Sequence, residues 1–373
     1  MLVVDRRLYE DGAARSTLRL VQRWVAAGVP ATLFVLQRAT PSAPVPPGVE
    51  VVHPARRELR MRWALAWGLL RLVVMARRAD VVVGAREIGW GLLLGRVAAA
   101  VARRPFVVVI RSEPGAAMEH HVPSRLRPLV RRCLRSADRL VCISPGLVPA
   151  VLALGVDERR VAVVLNGIDV EQVVAAAAGV VPPLPEGPGP LVVGVGRLAR
   201  QKGFDLLVRA HARVVGAGVP HRLLLLGTGP DERALRSLAA ELGVAGSVHL
   251  PGFTASPLPV VAAADLFCLP SRWEGFGQSL AEAIVLGTPV VAADCVSGPR
   301  HLLAEGAYGD LVPVDDVDAL AAAVERHLRD PARLRAAIAQ GRQRALVDLD
   351  VSRTAHEVLD VLRAVVAAGP GAR

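Results

Sequence analysis

The sequence predicts an α/β protein made of two doubly wound, parallel-sheet halves. Three observations predict it. Short apolar runs alternate with helix-length segments almost throughout. Most of those runs are valine-rich and lack period-two alternation, as strands buried on both faces do. The length of 373 residues, at roughly 150 per domain, gives a prior of two domains. Composition agrees: 52% hydrophobic residues against 21% charged is the profile of a chain with large packed cores.

Taken in order, residues 2–5, 31–36, 49–52, 80–83, 106–110, 139–143 and 161–164 read as strands. Residues 14–27, 56–78, 91–102, 124–136 and 146–154 read as the helices between them. Such alternation implies βαβ units and a parallel sheet. Residues 175–190, AAAAGVVPPLPEGPGP, hold five prolines and three glycines and read as a linker. It separates a first domain, 1–174, from a second, 191–351. In the second, strands are expected at 191–195, 222–226, 248–250, 266–269, 289–292 and 311–313. Helices are expected at 202–215, 231–242, 278–286, 317–328 and 331–346. Ligands of such sheets bind beyond the carboxyl ends of the strands, so a cleft between two halves is the natural site.

The formal net charge of +11 points to an anionic partner: nucleic acid, an acidic membrane face or a phosphorylated substrate. Aromatic residues are few (Trp 5, Tyr 2, Phe 6), which argues against single-stranded nucleic acid, whose bases need stacking platforms. No groove-binding module is present either, so nucleic acid is not an expected partner. Cys133, Cys142, Cys268 and Cys295 show no metal-ligand spacing and read as reduced, intracellular thiols. No apolar stretch is long enough to span a bilayer, because 64–76 and 90–102 are short and carry Arg71 and Arg96. The opening MLVVDRRLYED lacks a signal-peptide core. These features predict a cytoplasmic protein.

The chemistry concentrates in two stretches. In GVGRLARQKGF, 194–204, a strand ends, Gly196 leaves room beside the backbone, and Arg197 and Lys202 follow at a helix mouth. Two cations and free helix amides make a site for a diphosphate. Lys202 is the one lysine among 45 basic residues, and a compact point charge at that spot suits a phosphate. Gly194, Gly196 and Ala199 also fit a dinucleotide fingerprint, but the second strand of that half ends in Gly227-Thr228-Gly229, without the acid a ribose would need. In PSRWEGFGQSLAEAIVLGTP, 270–289, a loop with Glu274, Gly275, Phe276 and Gly277 opens a helix containing Glu282. Carboxylates on either side of a cluster of helix-start amides suit a ligand with hydroxyls flanking a phosphate, as in a nucleotide sugar.

The Glu-x7-Glu pattern, with GVGRL and QKGFDLL before it, LLGTGPDERAL between and SGPRHLL after, resembles the retaining glycosyltransferases of family 4. The resemblance implies the GT-B architecture, two facing Rossmann-like domains with a cleft between them, the final helix from about 352 packing back on the first. It further implies that Arg197 and Lys202 hold the donor diphosphate and Glu282 the ribose. Glu274 and the amides of Gly275, Phe276 and Gly277 would hold the sugar and its leaving phosphate. Gly12 would border the phosphates, in DGAAR where members carry a double glycine. His120 or His121 would stand near the sugar. No cofactor beyond the nucleotide-sugar co-substrate and no metal ion is implied, since fixed cations and amides can stabilise the departing diphosphate.

The expected reaction moves a hexose or N-acetylhexosamine, UDP-linked, to a hydroxyl acceptor with retention. The acceptor stays open between a polyprenyl-type lipid-linked saccharide, at which the SGPR segment hints, and a soluble secondary metabolite. A sugar-nucleotide epimerase is the alternative chemistry. On the helix predicted over 56–78, Arg56, Arg60, Trp63, Trp67, Arg71 and Arg78 share one side and Met61, Leu65, Leu69, Leu72 and Ala76 the other. The first side predicts peripheral attachment to the inner, anionic face of the membrane.

Overall fold

A computed structural model of the chain describes residues 1–8, 12–38, 44–54 and 61–370, without the side chains of 61–66. The chain forms two compact units: residues Met1–Gly167 with Val351–Arg373, and residues Ile168–Asp350.

The first unit runs β1 (Leu2–Asp5), α1 (Gly12–Ala26), β2 (Thr32–Val35), β3 (Glu50–Val52), α2 (Met61–Arg77), β4 (Val82–Gly84), α3 (Trp90–Ala102) and β5 (Phe106–Ile110). It continues through α4 (Pro114–His121), α5 (Arg127–Arg135), β6 (Arg139–Cys142), α6 (Val148–Ala153) and β7 (Val161–Val163). The strands make one parallel sheet in the order β3-β2-β1-β4-β5-β6-β7. β5, FVVVI, is buried at every residue, as an unalternating run in a doubly covered sheet should be. Phe106 sets the packing there. A Cβ on Gly84 or on Gly95 would lie 3.2 Å from its ring, so the two glycines let β4 and α3 pack closely on it.

The second unit runs α7 (Val170–Ala177), β8 (Leu191–Val195), α8 (Phe204–Gly216), β9 (Arg222–Leu226), α9 (Glu232–Glu241), β10 (Val248–Gly252), α10 (Leu258–Ala263) and β11 (Leu266–Leu269). Then come α11 (Gln278–Leu286), β12 (Val290–Ala293), α12 (Pro299–Leu302), β13 (Asp310–Val312), α13 (Val317–Arg329) and α14 (Pro331–Asp348). Its parallel sheet has the order β10-β9-β8-β11-β12-β13. α8 and α13 pack together over one face, burying Phe204, Leu207, Leu223, Leu225 and Val324. The chain then returns to the first unit for α15 (Val351–Ala368), which lies against α1. The Trp24 indole donates to the Ala355 carbonyl (2.9 Å), and Thr354 Oγ1 to the Leu165 carbonyl (3.0 Å).

Both sheets are doubly wound, as the valine-rich runs predict. The division of the chain differs from the composition-based one. The change of unit falls at Gly167–Ile168, upstream of the proline-rich stretch, and the return at Asp350–Val351. Residues 175–190 are part of the second unit: Asp169 caps α7 through the Gln172 amide, and Arg222 grips the carbonyls of Pro185 (2.7 Å) and Gly189 (3.0 Å). Proline and glycine here shape a segment packed on β9 instead of a free tether. α4 is a second correction, because PGAAMEHH has no apolar period and opens on residues that favour turns. The helix forms because Pro114 needs no amide partner in a first turn and the Glu113 carboxylate accepts from Gly115 (2.9 Å) and Ala116 (2.5 Å).

Candidate active site

In the second unit the winding direction reverses between β8 and β11. From β8 the chain moves to β9 and β10; from β11 it moves the other way to β12 and β13. The loops leaving these neighbours must part, and their carboxyl ends frame a crevice. The loop after β8 carries Gly196, Arg197 and Lys202; the loop after β11 carries Glu274, Gly275, Phe276 and Gly277.

The two loops touch backbone to backbone. Gly203 has φ 64°, and a Cβ there would stand 2.1 Å from the Pro270 carbonyl oxygen. Glycine is required by both the left-handed backbone and the lack of space. Gly196 serves the same end, since a Cβ there would meet the Lys202 stem at 3.0 Å. The stem lies along it and delivers Lys202 Nζ to 2.6 Å from Glu274 Oε1. The same oxygen accepts from Ser271 Oγ at 2.7 Å. Glu274 is 8% exposed and the Lys202 side chain 17%, so this ion pair is largely withdrawn from water.

Behind Glu274, Ser297 takes the left-handed φ of 64°. Its hydroxyl donates to the carbonyls of Glu274 (2.7 Å) and Gly275 (3.1 Å). Strain at a non-glycine residue that braces a loop is a feature of functional sites. The SGPR segment therefore acts first as a brace on the Glu274 loop. The Cys295 thiol is pushed up to about 12, by burial first and by the Glu274 charge second, and stays protonated.

Gly277 starts α11 with φ 89°. Among the described residues, the amides of Gly275, Phe276 and Gly277 meet no backbone carbonyl, and with the α11 dipole they face any anion placed there. Glu282 lies half-buried one turn into α11, held by Gln278 Nε2 at 3.1 Å. Arg197 is exposed. The structure thus brings Lys202 and Glu274 into direct contact and places Gly196, Arg197, the three loop amides and Glu282 on adjoining segments of the same sheet edge.

The first unit has a polar cluster at its own carboxyl edge that the sequence reading missed. Arg111, just past β5, is buried and donates to the Ala85 carbonyl (2.9 Å), Ser16 Oγ (3.1 Å) and Thr17 Oγ1 (3.0 Å). Ser16 donates to Asn166, and Glu87 accepts from the Arg111 amide (3.1 Å) and the Ser112 hydroxyl. These bonds fix the second turn of α1, one turn beyond its start at Gly12. Asp5, at the end of β1, is raised by burial against the opposing pull of Arg86. His120 and His121 both stand exposed at the far end of α4.

Among the described residues no group of three His, Cys, Asp or Glu side chains stands together as a metal site, and no helix is long and apolar enough to cross a membrane. All four cysteines are buried and free.

Comparison with known proteins adds independent findings. Residues 182–344 match the family model for glycosyl transferases group 1, and residues 11–167 match a glycosyl transferase 4-like domain. The 2-deoxystreptamine glucosyltransferase of Streptomyces kanamyceticus is 30% identical over 76% of this chain and 78% of its own length. The lipopolysaccharide core biosynthesis glycosyltransferase LpsE of Rhizobium meliloti is 33% identical over 52% of this chain, and the match spans 55% of that relative. The crystal structure of Anabaena HepE in complex with UDP-glucose superposes with a TM-score of 0.78 at 21% identity, covering 97% of this chain and 99% of that one. With both halves matched in order, the two doubly wound sheets are the two Rossmann-like domains of a GT-B enzyme, and the chain belongs to the family 4 type of group 1 glycosyltransferases.

Proposed function

We propose that the protein transfers a hexose or N-acetylhexosamine from a UDP-sugar to an acceptor hydroxyl, with retention and without a metal ion. The Lys202–Glu274 pair, set beside the amides of Gly275 to Gly277, carries the proposal. Breaking the bond between the sugar and the diphosphate leaves the electron pair, and the developing charge, on the phosphate oxygen. Lys202, Arg197 and the α11 amides stabilise that charge in place. Glu274 binds sugar hydroxyls, Glu282 the ribose, and Gly12 at the start of α1 borders the phosphates. His120 serves the sugar from the first unit, with His121 as its competitor. The acceptor oxygen then bonds to the anomeric carbon on the face the diphosphate leaves, and its proton passes to the departing phosphate oxygen.

HepE's complexes with UDP and UDP-glucose support the choice of base. The test is a panel of nucleotide sugars with and without candidate acceptors, followed by NMR of the product. Transfer that survives EDTA, with retained anomeric configuration, is expected. Inversion, or dependence on a divalent ion, would overturn the mechanism. Conversion of the donor sugar to its epimer without acceptor would make the enzyme an epimerase.

The acceptor is lipid-linked in this reading. α2, α3 and α5 contain no acidic residue, and α3 packs against both of the others. All three connect strands that advance in the same direction, so right-handed crossovers put them on one face of the sheet. Trp67 (58% exposed), Leu70, Val74, Val101 and Leu129 reach solvent there, among Arg71, Arg131, Arg132 and Arg135. Leu72 and Ala76 are buried, Leu69 is half-buried and Arg78 is exposed. Arg56, Arg60 and the side chains of Met61, Trp63 and Leu65 lie outside the described residues. An apolar and cationic face suits anionic lipid, at about 1 kcal/mol per arginine near the surface. Co-sedimentation with phosphatidylglycerol vesicles at low salt should be lost on changing Trp67, Arg131 and Arg132 to Ser. Full recovery of the parent in the supernatant would leave a soluble acceptor.

A further inference from the structure

Lys202 and Glu274 meet across two loops, and one side chain sets the register between those loops. Arg272 Nη1 and Nη2 grip the Asp205 carboxylate end-on, at 2.9 and 2.8 Å. Nη1 also donates to the Arg200 carbonyl (2.8 Å), and Nε to Asp315 (2.6 Å). The Arg272 amide donates to the Gln201 carbonyl (2.8 Å), and Gln201 Nε2 answers on the Trp273 carbonyl (3.0 Å). Every one of these bonds except the one to Asp315 joins the Lys202 loop or the start of α8 to the Glu274 loop. The Arg272 side chain is 13% exposed. Burial alone would push the Asp205 carboxyl up, but the Arg272 hydrogen bonds and charge outweigh it and hold the carboxyl below its usual range.

We infer that Arg272 is a positioning residue for the transfer reaction, holding Lys202 against Glu274 through Asp205. A planar fork is needed for this, since a single ammonium could not take both Asp205 oxygens, the Arg200 carbonyl and Asp315 together. The arrangement also explains why Asp205 sits in the first turn of α8. There it favours the helix start and at the same time anchors the neighbouring loop. The inference rests on the donor reading above for its consequence in catalysis, and on geometry alone for the contact itself.

The chain's one lysine makes the contact visible. Growth on 13Cε-lysine gives a single side-chain NMR signal, from Lys202, in the ligand-free protein. Glu274→Gln marks where that signal lies when the ion pair is gone. Arg272→Gln and Asp205→Asn should both move it toward that position. Turnover should fall about tenfold to a hundredfold, the scale of a misplacement near 1 Å, with the unfolding midpoint within a few degrees of the parent. Asp205→Glu, which keeps the carboxylate, should recover part of both readouts. If Arg272→Gln does not fold, Asp205→Asn carries the test. An unmoved Lys202 signal in the folded variants would overturn the inference whatever the activity does. A moved signal with unchanged kcat and donor KM would remove the role in transfer. The donor reading fails by a different result, Lys202→Ala binding UDP as the parent does.

Discussion

Lys202 and Glu274 neutralise each other: Nζ stands 2.6 Å from Oε1 in a largely buried pair. A diphosphate that needs the ammonium must compete with that carboxylate for it, and a sugar that needs the carboxylate releases the ammonium in turn. In the proposed reading, the pair couples recognition of one half of the donor to recognition of the other.

Removal of the cation follows directly. Lys202→Ala should weaken UDP binding by about 1.5–3 kcal/mol, the loss of a charge-assisted contact, and Arg197→Ala should act in the same direction. Isothermal titration with UDP measures both. Binding as tight as the parent's in both variants would remove the phosphate site from this loop.

Glu274→Ala should do the opposite to binding. Freed of its partner, the ammonium should hold UDP at least as tightly as in the parent, while turnover collapses because the sugar loses its anchor. Titration beside a transfer assay separates the two effects. A variant with weakened UDP binding and intact turnover would exchange the roles given to Glu274 and Glu282.

Glu282 is tested with the ribose itself. The parent should prefer UDP over a 2′,3′-dideoxy analogue, and Glu282→Ala should lose that preference while keeping its response to the diphosphate. Equal discrimination in parent and variant would place the ribose elsewhere.

Gly203→Ala probes the backbone contact between the loops. The left-handed φ alone costs about 1–2 kcal/mol with a Cβ, and the Pro270 carbonyl leaves no room for one. A lower unfolding midpoint with weaker UDP binding is expected. An unchanged midpoint would mean that the loops part more easily than their packing implies.

Acid should destabilise the second unit through buried imidazoles. His211 Nδ1 and His221 Nε2 lie 2.8 Å apart, and His211 Nε2 lies 2.8 Å from Ser247 Oγ. Burial, then the charges of His221 and His249, pull His211 down to about 3 from 6.5. The folded state therefore keeps the ring neutral where the unfolded chain protonates it. This contribution is intact above pH 6.5 and is lost as pH falls toward 3, at about 1.4 kcal/mol per pH unit for one proton. Thermal unfolding across that range should show the slope, and His211→Gln should flatten it. Identical slopes would assign the acid sensitivity to other groups.

Much of the fold was legible because parallel strands buried on both faces have little choice but to be continuous apolar runs, and β5 and β8 stand where such runs stand. Lys202 and Glu274 were legible as motif residues, yet their contact was not, since 72 positions separate them and only the adjacency of β8 and β11 joins them. Arg111 left no trace at all. Its partner Ser16 is 95 positions away and Asn166, on Ser16, another 150, so the cluster exists only through the strand order. α4 was hidden for a local reason, with a capping glutamate and a first-turn proline imitating a loop.

The return of α15 bears on how the protein is made. The second unit is one uninterrupted stretch and is complete as soon as Asp350 has emerged from the ribosome. The first unit has seven strands synthesised before the second unit and a helix synthesised only after it. At about 5–20 residues per second, roughly 10–40 s pass between them. Through that interval the α1 surface around Trp24 has no cover, and the nascent first unit is a client for any holdase that reads exposed apolar faces. A chain halted before Val351 should carry a finished second unit and an unfinished first one, the reverse of the order in which they were translated.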